Sequence, residues 1–230
     1  LIFILVFITG CRRNADELVM VTEAGFAPYE FYENGKIVGV DIDIAKEIAA
    51  SLGKKLVVKD IAFDYIINEV KSGKADFAAA GMSITEDRKK EVDFTIEYTV
   101  SNQVVVIKKN SLINSFNDLE GKRISVQLGS VGDSYATTTY KKATIDRQKK
   151  FLVAAEAVKN NKSDCIIMDD LPAKELVAKN PELKILKGVL FQDSYGMAVK
   201  KGNQELLENI NKVLKELIEN GKIDEYIKKY

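Results

Sequence analysis

The chain has 230 residues, with 34 basic and 34 acidic side chains and no formal net charge, a balance that gives no reason to expect nucleic acid as a partner. It has no histidine and two cysteines, which removes the commonest general base and metal ligand and leaves no Cys/His zinc site or Cys–His dyad to build. Apolar residues make up 46%, ample for a packed core, and the length fits one large domain or two smaller lobes.

Leu1 to Ile8 is a continuous apolar run, too short to span a bilayer. It reads as the apolar region of a signal peptide without its basic start, and Ile8-Thr9-Gly10-Cys11 resembles a lipobox, after which the Cys11 thiol carries a lipid. Residues 1–11 are therefore expected to be a signal-peptide remnant, and the polar residues 12–17 a short tether. Leu18 to Thr22 is the first expected strand. Pro28 opposes helix in the residue before it, so Phe26-Ala27-Pro28-Tyr29 is a loop. Asn34-Gly35 predicts a hairpin turn between Phe31-Tyr32 and Ile37-Val38. Asp41 is expected to cap a helix to Leu52, with Ile44, Ala45, Ile48, Ala49 and Leu52 on one face and Gly53 at its end. Leu56 to Val58 is the next strand, Tyr65 to Lys71 the next helix, and Ala75 to Ala80 a buried strand. This βαβα alternation implies a parallel or mixed sheet covered by helices.

A second unit begins near the apolar strand Asn102 to Lys108. It continues with a short helix at Phe116 to Leu119, a strand at Arg123 to Val126, and a glycine turn, Gly129-Ser130-Val131-Gly132, into a helix containing Tyr135 and Tyr140. Phe151 to Lys159 reads as a helix, and Ser163 to Met168 as a strand ending in carboxylates. Pro172 lies in the first turn of the helix that follows. Ser194 to Val199 is a strand. Glu205 to Asn220 is an amphipathic helix with Leu206, Ile210, Val213, Leu214, Leu217 and Ile218 inward, stopped by Gly221. Cys165, inside an apolar run, reads as buried filler.

Gly81-Met82-Ser83-Ile84-Thr85-Glu86-Asp87-Arg88 follows the buried strand. Thr85 is placed to cap a helix whose first turn holds Glu86 and Asp87. Free backbone N–H groups, the Ser83 hydroxyl and the Arg88 guanidinium gather there, a set that suits a carboxylate. On spacing alone, an ordinary helix cap with a surface arginine explains the same residues.

This stretch resembles the ligand loop of the amino-acid-binding proteins of bacterial ABC importers (solute-binding protein family 3). Further segments match in the family's order: Phe26 to Phe31, Val38 to Asp43, Leu119-Glu120-Gly121-Lys122, Met168-Asp169-Asp170-Leu171-Pro172, and Tyr195 to Gly202. The resemblance runs from about Leu18 to Tyr230. It implies a periplasmic-binding-protein-like α/β fold, two α/β lobes joined by a two-strand hinge. Lobe 1 would be residues 12–102 and 195–230, lobe 2 residues 103–194, with ligand-induced closure of the cleft between them.

The resemblance also implies roles. Ser83 and Arg88 would hold the ligand's α-carboxylate, with Met82 in the same loop, and the Gly81 carbonyl would accept from its α-amino group. Asp169 would pair with the α-ammonium; otherwise it caps the next helix, or divides these roles with Asp170. The Gly129–Gly132 loop, with Ser130 and Val131, would offer backbone N–H groups to the carboxylate. Many relatives with basic ligands carry Gln where this chain has Gly132; Gln127 offers a nearby polar group in part substitution. Phe26 and Phe63 would form aromatic walls. Glu23, three residues before Phe26, occupies a position where basic-ligand relatives often carry an acid. Two ring faces and a carboxylate suit a guanidinium. Tyr29 and Tyr98 are further pocket candidates without an assigned place.

The function so implied is that of an extracytoplasmic, lipid-anchored amino-acid-binding protein of an ABC transporter. It would bind basic amino acids, arginine first and then lysine or ornithine. Its partners would be a small L-amino acid and the permease transmembrane subunits, with the membrane met through the lipid anchor only. The protein would act as a monomer in the periplasm or on the outer face of the cytoplasmic membrane. No nucleic acid, cofactor, metal or catalytic residue enters this reading. A binder of a neutral polar amino acid such as glutamine is the alternative. A cyclohexadienyl-dehydratase-like enzyme of the same fold is a second competitor, with Glu23 as its acid/base group. A sensor domain of a kinase or channel is a third.

Overall fold

In the computed structural model, which describes residues 14–230, the apolar runs pair into two main sheets joined by two closely paired passages of chain. The N-terminal part comprises strands β1 (Glu17–Thr22), β2 (Gly25–Phe26), β3 (Glu30–Glu33) and β4 (Lys36–Val38), then helix α1 (Val40–Ser51) and β5 (Lys55–Asp60). A 3-10 turn at Phe63–Tyr65 leads into α2 (Ile66–Lys71), followed by β6 (Phe77–Ala78), α3 (Glu86–Glu91) and β7 (Val92–Phe94). The long strand β8 (Thr99–Lys108) opens the second unit. After a 3-10 turn at Phe116–Leu119 come β9 (Arg123–Gln127), α4 (Val131–Thr139), β10 (Thr144–Gln148), α5 (Phe151–Lys159), β11 (Cys165–Asp169), α6 (Asp170–Lys179), β12 (Leu183–Ile185) and β13 (Phe191–Tyr195). Strand β14 (Ala198–Lys200) and helices α7 (Gln204–Glu219) and α8 (Lys222–Lys229) complete the chain.

The first main sheet has the order β5-β1-β6-β14-β7, with β1 parallel to both neighbours. The second has the order β10-β9-β11-β8-β12, with β13 also antiparallel on β8. A small antiparallel sheet, β2-β3-β4, turns at Asn34 and Gly35, both with positive φ, as a two-residue hairpin of this sequence requires. The chain crosses from the first sheet to the second between β7 and β8 and returns between β13 and β14. The two crossings are bonded to each other: Thr95 N–H donates to Met197 O at 3.0 Å, and Tyr98 N–H to Tyr195 O at 3.0 Å. The parallel strands β1, β6, β9 and β11 all point their C-terminal ends toward the space between the sheets, where open α/β sheets bind ligands.

Several local expectations are corrected. Asp41 does not cap α1. The helix starts two residues earlier than a cap at Asp41 would give, after Gly39 at φ +130, where a Cβ would come within 2.1 Å of the Tyr29 carbonyl oxygen. Asp41 is instead fully buried, accepting from Gly81 N–H at 2.9 Å and Tyr98 O–H at 2.7 Å. The expected strand Ala75 to Ala80 is regular only at Phe77–Ala78. Ser194 to Val199 is two strands, broken at Gly196-Met197 by the crossing. Tyr140 lies just past the end of α4. Ile218, expected inward on α7, is 40% exposed, beside the buried Leu214 and Leu217. Cys165 is fully buried as expected, and burial pushes its thiol pKa up. The expected leader, Cys11 included, lies outside the described residues.

Candidate functional site

Five loops meet at the strand ends. Of the eleven residues expected at the site, all but Met82 line one cleft: Glu23, Phe26, Phe63, Gly81, Ser83, Arg88, Gln127, Ser130, Val131 and Asp169. Met82 points the other way, fully buried in the apolar cluster with Val19, Val21 and Ile66. Alternation along the extended segment accounts for this: Gly81 and Ser83 face the cleft, and Met82 faces the core. Tyr29 and Tyr98 do not line the cleft either. Both are buried behind it, Tyr29 edge-on to Tyr195 at 5.1 Å and Tyr98 bonded to Asp41.

The loop after β6 is rigidly held. Gly81 has φ +48, and a Cβ there would meet the Phe26 ring at 2.5 Å, so glycine is what lets that ring pack on the backbone. Ile84 N–H donates to Ser194 O at 2.9 Å and Gly196 N–H to Met82 O at 3.1 Å, tying the loop to the returning chain. Thr85 Oγ1 accepts from Arg88 N–H at 3.2 Å, so the expected cap is formed. Arg88 donates through Nη1 to Ser83 O at 2.6 Å and through Nη2 to Gly129 O at 3.0 Å. Its guanidinium carbon lies 5.3 Å from the centre of the Phe63 ring. One face of Phe63 therefore carries the protein's own guanidinium. Burial pulls the Arg88 pKa down to about 10, against Asp193 and Asp169, which raise it.

Facing this loop, Ser130 caps α4, its Oγ accepting from Asp133 N–H at 3.1 Å. Val131, the first residue of α4, lines the cleft, and the open N–H groups of a helix start favour an anion. Gly132 packs against β11, where a Cβ would stand 3.2 Å from Ile167 Cγ2. Asp169, at the end of β11, is 7% exposed. Its Oδ1 accepts from Ser101 Oγ at 2.8 Å and Tyr195 O–H at 2.5 Å, and its side chain does not cap α6. Burial raises its pKa in spite of these donors. A desolvated carboxylate without a full counter-charge is a place for an ammonium.

At the other end, Glu23 is 1% exposed, a buried acid. Gln127 Nε2 donates to Glu23 Oε2 at 3.0 Å, and Lys150 Nζ stands 3.0 Å from Oε1. Lys150 also lies 3.8 Å from Asp60 Oδ2. Burial raises the Glu23 pKa, and Lys150 opposes it. Phe26 stands in a row of rings, stacked on Tyr29 at 5.9 Å and on Phe151 at 5.6 Å.

Sequence reasoning missed Glu30, Ala80, Lys150 and Asp193. Glu30 lines the cleft, is 1% exposed, and its pKa is pushed well up by burial and by neighbouring Asp41. Nothing local marks it, apart from its place in the segment Phe26 to Phe31. Lys150 is 127 residues from Glu23 and Asp193 is 110 from Ser83, so only the fold brings them together. Arranged so, the cleft offers an anion site (Arg88, Ser83, the α4 end), a cation site (Asp169), and a carboxylate at its far end.

Comparison with known proteins places the chain in a family. Bacterial extracellular solute-binding proteins, family 3, match residues 18–230. The arginine-binding extracellular protein ArtP of Bacillus subtilis is 32% identical over 227 residues, which cover 96% of this chain and 89% of that protein. Holo ArgBP from T. maritima superposes with a TM-score of 0.85 at 42% identity, covering 88% of this chain and 90% of that one. An ancestral arginine-binding protein bound to glutamine gives a TM-score of 0.89 at 40% identity, over 95% and 99% of the two chains.

Proposed function

The chain belongs to the bacterial extracellular solute-binding proteins, family 3, and from that membership we propose that it binds a free basic L-amino acid, arginine first, for delivery to the permease of an ABC transporter. The two lobes, residues 12–102 with 195–230 and residues 103–194, close on the ligand. Arg88, Ser83 and the Val131 N–H take its α-carboxylate, while Asp169 and the Gly81 carbonyl take its α-amino group. Because groups from both sheets grip the same ligand ends, the ligand favours the closed form. The observation that carries the basic ligand is the buried Glu23 carboxylate lining the far end, whose one ammonium partner, Lys150, is shared with Asp60 outside the cleft lining. Negative charge remains there for a guanidinium, which is flat, weakly hydrated and suited to the Phe26 ring.

A competition assay tests this. L-Arginine is expected to outcompete L-glutamine by about tenfold or more, one decade being about 1.4 kcal/mol, and Glu23→Gln to erase most of that margin. Equal binding, or an unchanged preference in Glu23→Gln, ends the basic-ligand reading. The Lys150–Glu23 pair is the observation behind the second reading. If Lys150 alone satisfies Glu23, the far end is neutral and suits glutamine. Glu23 held by Lys150 and Gln127 is also poorly placed to protonate a leaving group, and the Arg88, Ser83 and Asp169 set addresses a whole free amino acid. Both points favour a receptor over a dehydratase.

Among the described residues no helix is long and apolar enough to cross a membrane. The proposed attachment, in the periplasm or on the outer face of the cytoplasmic membrane, is a lipid on Cys11. Several acyl chains anchor stably where one binds reversibly. Cys11→Ser is expected to move the protein into the soluble fraction of its native host, and membrane retention of a processed Cys11→Ser protein would exclude this anchor.

A further inference from the structure

A serine hydroxyl has one hydrogen to give, and Ser83 gives it to Asp193: Ser83 Oγ lies 3.0 Å from Asp193 Oδ2. A hydrogen engaged by that carboxylate is not free for the carboxylate of a ligand. Asp193 sits in β13, beside the returning crossing. Four groups face it: Ser83 from the loop after β6, Gln103 Nε2 of β8 at 3.5 Å, the Arg88 guanidinium of α3, and the Asp169 carboxylate at the end of β11. Arg88 favours its charged form and Asp169 opposes it. The other oxygen, Oδ1, is buried and has no hydrogen-bond partner. Burying an ionised carboxylate with one oxygen unpaired is costly, and protonation relieves that cost.

Resting on the reading in which Ser83 serves the ligand's carboxylate, we propose that Asp193 is a positioning residue that takes up a proton when the amino acid binds and reverses its hydrogen bond with Ser83. Protonated, Asp193 donates its O–H to Ser83 Oγ, and the Ser83 hydrogen turns to the ligand's carboxylate. No covalent bond other than the new O–H forms, and the proton comes from solution. Geometry carries it: Asp193 Oδ2 faces the Ser83 hydroxyl and Oδ1 is buried without a partner. Burial first, and the charge of Asp169 second, push Asp193 up to about 7 in the protein without ligand. The arriving carboxylate is a further negative charge, set against Ser83 in direct contact with Asp193, and raises it again, while the α-ammonium goes to Asp169 and offsets only that neighbour's share. A group whose pKa rises on binding makes affinity fall as pH climbs past the free protein's value.

Calorimetry with L-arginine and, separately, L-glutamine at pH 7.5 in phosphate and in Tris tests this, because the two buffers release protons with different heats. The wild-type protein is expected to take up roughly 0.7 of a proton at that pH, and to lose about 20-fold in affinity between pH 6.5 and 8.5, both from a free value near 7. Asp193→Asn keeps a donor to Ser83 without a titrating proton. It is expected to show equal heats in both buffers and an affinity constant within about twofold over that range. Equal heats in the two buffers for the wild type overturn the proposal, even if the variant does not fold. Uptake that persists in a folded Asp193→Asn overturns it as well. Failure of both amino acids to bind would instead count against the amino-acid reading itself.

Discussion

Arg88→Ala is expected to abolish detectable amino-acid binding while the protein stays folded. The guanidinium makes two charge-assisted bonds, to Ser83 O and Gly129 O, that bridge the loops on either side of the cleft. Its remaining N–H groups are the cation in reach of a ligand carboxylate; among the described residues lining the cleft no other is positively charged, and Arg147, near the start of α4, is paired with Asp133. Removing one partner of a desolvated charge pair costs on the order of 2–5 kcal/mol. At about 1.4 kcal/mol per decade this is roughly 30- to 4000-fold in affinity. The fold depends less on Arg88. Alanine is at least as good a helix former, the Thr85 cap uses the backbone of residue 88 and survives the change, and the two released carbonyls border the cleft. Titration calorimetry beside circular dichroism checks both halves. Near-wild-type affinity in a folded variant would remove Arg88 from the carboxylate site.

Much of this site was legible locally, because its parts are short and punctuated. Thr85 caps α3, Ser130 caps α4, and β11 delivers Asp169 after a run of apolar residues; each follows from neighbours within five positions. Asn34-Gly35 fixed the hairpin in the same way. What escaped depends on distance. Asp41 reads as a helix cap, and only tertiary packing turns it inward to bind Gly81 and Tyr98, 40 and 57 residues away. Strand β10 escaped because Thr144-Ile145-Asp146-Arg147-Gln148 is polar at four positions of five. As an edge strand beside β9 it needs no apolar run. Lys150 and Asp193 carry no motif. Their consequence lies in which carboxylate or hydroxyl they face, and that is a property of the tertiary arrangement. The resemblance to a known family supplied roles for Ser83 and Asp169 that spacing alone left open.

Asp169→Asn is expected to weaken binding by at least about 30-fold, through charge rather than through shape. The isosteric amide keeps a carbonyl oxygen to accept from Ser101 and Tyr195, the two hydroxyls that hold the carboxylate in place. Asp169→Ala would be a poorer test. It leaves both hydroxyls buried without an acceptor, at about 1–3 kcal/mol for each unsatisfied group, and so confounds stability with affinity. With the amide, the lost interaction is that between an ammonium and a desolvated anion, on the order of 2–5 kcal/mol. The sign of the stability change follows from the pKa. Burial raises the Asp169 pKa from its ordinary value, so its ionised form costs the unliganded protein stability at neutral pH, and that cost disappears as pH falls through the folded value. Without ligand, Asp169→Asn is therefore expected to melt at or above the wild-type temperature near pH 7. The ligand-induced rise in melting temperature, which follows RT ln(1 + [L]/Kd), should nearly vanish. A variant that melts lower and still gains the full ligand-induced rise would place Asp169 in the scaffold and leave the α-ammonium to another partner.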